Sequence, residues 1–421
     1  MSLRTTRRTA LKAIAATGIG LAGVGTASAD EEVQYIVTGG NPDQLERQGF
    51  TVAHEITGAN VYLVWGPPDA DPADVAGVDA AFEDAGYGLD VPAEPTELDV
   101  EGELEDEQWD KHLIRAFDAH EYATGSGTRI GILDTGVYGG HPDLGNVDTD
   151  ASRSFVGWEE SDHIGDVHWH GTHVAGIAGA TGAEGVTGVA PDTELVSLRV
   201  FPEEPPLLAS VGDSFLALEY AAEIGLDAVN MSIGSPPQLA ADNQEGFRIA
   251  RQRVVRSVVQ RGTAVVTSAG NDAANLQHGN ACVTFEDEDE EEYEECGKWL
   301  SLWGSLPNAM SISATTEDDD LAAFSNYGAN EITVGAPGEL VLSTVDPDNP
   351  DLPGATYAQA SGTSMSAPQV AGLVGLVRER DSDATPNRVE TVIERGAEGS
   401  GRGDSETGAG RIDALSTVEL T

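Results

Sequence analysis

Four short stretches carry side chains able to do chemistry. "GILDTGVYGGHPDL" sets Asp134 after an apolar run and before Thr-Gly, so its carboxylate is expected at a strand end held by a tight turn. A buried carboxylate there is costly unless it is paired or hydrogen-bonded. "HWHGTHVAGIAGATG" spaces His168, His170 and His173 at the start of a slim Gly/Ala helix. The positive end of the helix dipole favours the neutral imidazole that a general base needs. The same three histidines are also compatible with a zinc site. "SGTSMSAPQVAG" opens another helix with Ser361, Ser364 and Ser366. Its free N–H groups would favour a developing anion, so a serine there suits acyl transfer. Capping of the helix by Ser361, Thr363 or Ser364 is the competing role, and residue chemistry alone does not separate the three serines. Asn271 closes "VVTSAGN", where a side-chain amide could donate to an oxyanion or merely serve a turn.

Positioning such groups requires strands and helices in alternation. "RIGILDTG", "ELVSLRVF", "LDAVNMSIG", "GTAVVTSAGN" and "AMSISATT" are short apolar runs, mostly closed by Gly or Ser/Thr turns. They predict a parallel sheet buried on both faces and crossed over by helices. In such sheets chemistry collects at the carboxyl ends of the strands, where Asp134, Ser232 and Asn271 fall. Pro368 is expected near a helix start, since deeper it would break a hydrogen bond.

Upstream the chain reads differently. Residues 1–29 carry Arg7-Arg8, an apolar stretch softened by glycine, and Ala27-Ser28-Ala29, a twin-arginine-type export signal. Residues 30–105 predict a small domain and an acidic linker. "VQYIVTGG" and "NVYLVWG" read as strands, whereas "NPDQLERQG" and "DPADVAGVDAAFEDAG" read as helical. The remainder, 106–421, is large enough for one enzyme domain.

The chain has 421 residues, 72 of them acidic against 22 basic, for a formal net charge of −50. Nucleic acid and, once the signal is removed, anionic membranes are excluded as partners. At molar salt the Debye length falls to about 3 Å, so this surface predicts a salt-adapted protein. Cys282 and Cys296 bracket an acidic run and predict a disulfide that restrains an exposed loop, worth about 3 kcal/mol on a chain-entropy estimate.

"ILDTGV" with Asp134, "HGTHVAG" with His170, "SAGN" with Asn271 and "GTSMSAP" with Ser364, in that order, resemble the subtilisin-like serine proteases from about Gln108 to "GAGRIDA". The resemblance selects Ser364 among the three serines. It implies an α/β, three-layer subtilisin-like fold with a central parallel sheet, preceded by a small α+β propeptide domain. It also implies a secreted, monomeric serine endopeptidase of the halophilic type, acting on protein or peptide substrates. Asp134, His170 and Ser364 would form the triad, with Asn271 in the oxyanion hole. Ser232, Ile233 and Gly234 would pair with extended substrate. The domain after the signal would inhibit the enzyme until cleaved, with maturation expected between about Asp99 and Gln108. Calcium is the cofactor the resemblance suggests, with Asp143 as a ligand, although the chemistry needs none. A zinc hydrolase, an α/β-hydrolase esterase and a silent binding member are the competing readings.

Overall fold

The computed structural model describes residues 22–23, 32–89, 91–97, 104–162, 165–234, 236–240, 245–286, 292–399 and 403–421. The export signal read in 1–29 therefore lies outside the described residues apart from 22–23. Among the described residues no helix is long and apolar enough to cross a membrane.

An eight-stranded sheet organises the larger part of the chain. Its order is Ser161–Asp162, Arg153–Ser154, Glu194–Arg199, Arg129–Asp134, Ala228–Met231, Ala264–Ser268, Ala309–Thr315 and Val334–Pro337. All neighbours pair in parallel except the first two. Successive side chains of a strand face opposite sides, and the apolar runs use both. Ile130 and Ile132 enter a core shared with the helices His170–Gly179 and Thr363–Arg380. Leu133, Val229 and Val265 enter a second core with Val211–Glu223 and Glu245–Gln260. This is the expected helix–sheet–helix sandwich. The Ser364 helix is buried on nearly every side, as its apolar sequence requires.

The small N-terminal domain is a four-stranded antiparallel sheet, ordered Thr51–Ile56, Val61–Gly66, Val33–Gly39 and Val78–Glu83. Pro42–Arg47 is helical as expected. "DPADVAGVDAAFEDAG" is not: it forms a single helical turn at Pro72–Asp74 and then the strand Val78–Glu83. The strand is favoured because it completes the sheet against Val33–Gly39 and packs Phe82 edge-on against Phe247, ring centroids 5.2 Å apart. One face of the small sheet closes its own core around Tyr35, Val37 and Val64. The other presents Ile36, Ile56, Val61 and Leu63 to the Val211–Glu223 and Glu245–Gln260 helices of the large domain.

Cys282 and Cys296 are joined by a disulfide across an antiparallel hairpin, Ala281–Glu286 with Glu292–Gly297. The acidic tip, 287–291, lies outside the described residues.

Candidate active site

Three neighbouring parallel strands deliver the candidate groups to one edge of the sheet. Arg129–Asp134 ends on Asp134, Ala228–Met231 ends just before Ser232, and Ala264–Ser268 ends three residues before Asn271. Asn230 is in register with Ile132, which sets Ser232 level with Asp134 on the adjoining strand.

Asp134 is fully buried, and its Oδ1 accepts from the Thr135 N–H at 2.7 Å and from His170 Nδ1 at 2.8 Å. A carboxylate can only accept, so Nδ1 carries the hydrogen of this bond, which leaves Nε2 as the ring nitrogen able to exchange a proton. His170 is the first residue of its helix.

Ser364 is the second residue of the Thr363–Arg380 helix. Its Oγ donates to the Ser232 carbonyl at 3.2 Å, and Ser232 Oγ donates to the Ser364 carbonyl at 2.7 Å. The second bond explains a departure from expectation. Pro368 lies beyond the first turn, and its missing N–H would have bonded the carbonyl four residues back, which is that of Ser364. The Ser232 hydroxyl takes up the acceptor that Pro368 leaves open. The flanking serines point elsewhere: Ser361 Oγ accepts from the Leu340 N–H at 2.9 Å, and Ser366 Oγ donates to the Ala336 carbonyl at 2.9 Å.

Asn271 Oδ1 accepts from both the N–H and the hydroxyl of Thr363, at 2.8 and 2.9 Å. Pinning the oxygen turns the amide Nδ2 the other way. A methyl group placed on Gly362 would lie 3.6 Å from the Ser364 N, 3.7 Å from Asn271 Nδ2 and 3.4 Å from Pro92 Cδ. Asn271 Nδ2 and the Ser364 N therefore border one small space, and the segment after the small domain reaches it. Through its two bonds to Oδ1, Thr363 sets the direction of the amide, a role that its place between Gly362 and Ser364 does not disclose.

That segment is well anchored upstream. Ala85–Tyr87 pairs antiparallel with Ala209–Ser210, and Tyr87 is buried, with its ring edge-on to Phe201 and Trp303 and its hydroxyl on Ser214 Oγ. Asp84 accepts from the Gly212 N–H at the start of the Val211–Glu223 helix and from Trp158 Nε1 at 3.0 Å. Burial pushes the Asp84 carboxyl up to about 6. Asp213 beside it is pushed up to about 7, by burial first and then by the Asp84 charge. Downstream, Thr96–Glu97 pairs with Tyr357–Ala360. Of the stretch expected to pair with substrate, Ser232 and Ile233 are buried, Ile233 in the same apolar cluster as Tyr87, and Gly234 is half-buried.

One competing reading and one expectation are at odds with the hydrogen bonds. The histidines do not form a metal site. His168 Nδ1 accepts from the His170 N–H, His170 Nδ1 faces Asp134, and His173 Nε2 donates to the Ala358 carbonyl at 3.0 Å. Their i and i+3 spacing at a helix start sends the rings to different partners. Burial pushes His173 down to about 3, so it stays neutral. Asp143 does not present a cation ligand either. Its Oδ1 accepts from the N–H groups of Glu184 and Gly185, and its Oδ2 from the Val186 N–H and the Tyr357 hydroxyl, at 2.6 to 3.2 Å. A hard cation needs six or more oxygens facing it, and here hydrogens face the carboxylate. Burial pushes the Tyr357 phenol up, so it keeps its proton. The short 181–187 loop closes on Asp143 directly.

Comparison with known proteins gives the family and the fold. The Subtilase family model matches residues 125–410. Subtilisin Savinase of Lederbergia lenta is 34% identical over 275 residues, 65% of this chain and 84% of that protein. Thermitase of Thermoactinomyces vulgaris is 29% identical over 318 residues, 74% of this chain and 96% of that protein. Among solved structures, the epidermin leader peptide processing serine protease of Staphylococcus aureus superposes with a TM-score of 0.73 at 22% identity, covering 93% of this chain and, in the mutant structure, all of that one. The chain belongs to the subtilase family and is a serine-type endopeptidase with the subtilisin-like fold.

Proposed function

We propose that the protein hydrolyses peptide bonds through an acyl-enzyme formed on Ser364. The observation that carries this reading is the arrangement at the sheet edge: the Asp134–His170 pair sits at the end of the strand beside the one whose Ser232 bonds Ser364, and Asn271 Nδ2 and the Ser364 N border the same space. Ser364 Oγ attacks the carbonyl carbon while His170 Nε2 takes its proton. Asp134 keeps the imidazole in the required tautomer and stabilises the imidazolium. Asn271 and the Ser364 N–H hold the oxyanion. The proton then passes from Nε2 to the leaving amine, and water repeats the sequence in reverse on the ester. Every step uses the chain's own residues. Calcium bound elsewhere would serve the fold alone.

The small domain is read as an intramolecular inhibitor, made with the enzyme and exported with it. Two features support placing the processing bond upstream of the 99–108 stretch expected from sequence. Tyr87 fills a buried pocket, and Pro92 lies against the point where the two oxyanion donors converge. The bond then lies between Tyr87 and Thr96. Once it is cut, release of the small domain is expected to be faster at pH 8 than at pH 5. Asp84 and Asp213 have raised pKa values while docked, so the docked state holds more protons and is favoured at low pH. That preference is lost as pH rises from about 4 through 7. Size-exclusion chromatography of the nicked complex at the two pH values checks this, and slower release at pH 8 would reverse the assignment.

The acidic composition supports a salt-adapted enzyme, and the export signal read in residues 1–29 a secreted one. Intact mass after exposure to a serine-directed phosphonate in molar salt, with and without chelator, is expected to show one adduct per chain lacking the small domain. Dialysis into dilute buffer should abolish the labelling. No adduct in molar salt would overturn the reading.

A further inference from the structure

Asp166 lies in "SDHIGDVHWHG", ahead of the His170 helix, and the proposed mechanism does not use it. Its carboxylate accepts four hydrogen bonds, two on each oxygen. Thr135 Oγ1 and the His168 N–H donate to Oδ1 at 2.7 and 3.0 Å. The Thr172 N–H and hydroxyl donate to Oδ2 at 2.8 and 2.6 Å. Thr172 belongs to the first turn of the His170 helix, and Thr135 follows Asp134 directly. Thr135 completes a second link, because its Oγ1 accepts from the Gly171 N–H at 2.9 Å while its own N–H donates to Asp134 Oδ1.

The backbones at this junction are in contact. A Cβ on Gly171 would lie 2.0 Å from the Gly136 carbonyl oxygen, and one on Gly136, at φ +115, would lie 2.1 Å from that of Gly165. No side chain can be inserted there without moving the strand end from the helix. Alignment of Asp134 with His170 is therefore set by how these two backbones meet, and Asp166 ties both.

We propose that Asp166 is a positioning residue for the triad: by bridging Thr135 to Thr172 it fixes the strand end that carries Asp134 against the helix start that carries His170. The inference rests on the reading of His170 as the base. Asp166 itself touches no reacting atom. Its charged and titratable neighbours are His168, whose N–H donates to it, and Arg199; His170, Asp134 and Asp351 act in turn on His168. Burial pushes the Asp166 carboxyl up to about 7, so an assay above pH 8 keeps it ionised and able to accept all four bonds.

Asp166→Asn is the direct test, since one amide NH2 must then face a backbone N–H, that of His168 or of Thr172, and neither can become an acceptor. With active sites counted by the phosphonate, kcat per titrated site is expected to fall roughly ten- to a hundredfold, with KM changed by less than about threefold. The acid limb of kcat/KM should also move to lower pH, because a loosened Asp134 stabilises the imidazolium less. General destabilisation would reduce the number of titrated sites and leave both quantities alone. Should Asp166→Asn yield no titratable enzyme, Thr135→Val removes the bridging hydroxyl and should act in the same direction, with Thr135→Ser restoring turnover. Turnover per site within about threefold of wild type and an unmoved acid limb in these variants would overturn the proposal. A wild-type chain that takes no label would instead refute the proposed chemistry on which it rests.

Discussion

Ser364→Ala is expected to lower kcat/KM by several orders of magnitude, the scale known for loss of the triad nucleophile in subtilisin, and to leave a full-length chain if processing is intramolecular. Ser361→Ala and Ser366→Ala are expected to stay within about tenfold of wild type, with a stability cost of about 1 kcal/mol for each lost hydrogen bond. The contrast follows from where each hydroxyl points. Ser361 steadies the Leu340 N–H and Ser366 the Ala336 carbonyl, so neither hydroxyl is bonded to Asp134, His170 or Asn271. Ser364 alone combines a hydroxyl at the helix start, a backbone N near Asn271 Nδ2 and a bond to Ser232 at the end of the strand beside that of Asp134. Replacing it leaves the Ser232 carbonyl without its Ser364 donor but keeps the bond from Ser232 Oγ to residue 364, so the fold should survive. Mass spectrometry of the purified variant, with turnover of a casein-type substrate in molar salt, checks both parts. Normal maturation of Ser364→Ala in a protease-free host would refute self-processing, and retained turnover would refute the nucleophile.

The sequence made this edge of the sheet legible because parallel strands buried on both faces are written as unbroken apolar runs, and the polar residue that ends each run marks the carboxyl end. Asp134 and Asn271 could be singled out for that reason. The serines were harder. Three hydroxyls at one helix start are chemically equivalent until the partners of Ser361 and Ser366, Leu340 and Ala336, are brought in by the tertiary fold. The same holds for Thr363 and Asp166, whose roles depend on contacts spanning 92 and 31 residues of sequence. The misread strand Val78–Glu83 illustrates a different limit. "VDAAFEDAG" is rich in alanine and acid, which suits a helix, and it becomes a strand only because Val33–Gly39 offers it a free edge and Phe247 a ring to pack on. Asp143 shows how a ligand position suggested by resemblance can be given other partners by its local loop. The loop that would have to supply further oxygens supplies N–H groups instead.

Asn271→Leu is expected to lower kcat about 10²- to 10³-fold with little change in KM, the magnitude known for the corresponding amide donor in subtilisin. The effect belongs to kcat because the amide gains most when the carbonyl oxygen becomes an oxyanion, so its loss raises the barrier without weakening substrate binding equally. Leucine also leaves the Thr363 N–H and hydroxyl without their acceptor, a cost that falls on the turn preceding Ser364. Asn271→Asp separates the two consequences. A carboxylate still accepts from Thr363 and holds the turn, but it sets a second oxygen where Nδ2 stood and repels the oxyanion. If orientation of the amide is what Thr363 provides, the aspartate variant should keep its fold and its phosphonate-titratable site yet turn over at least as slowly as the leucine variant. Turnover of Asn271→Asp within about tenfold of wild type would mean that the Ser364 N–H carries the oxyanion alone. The convergence of the two donors near Gly362 would then be a packing feature with no part in the rate.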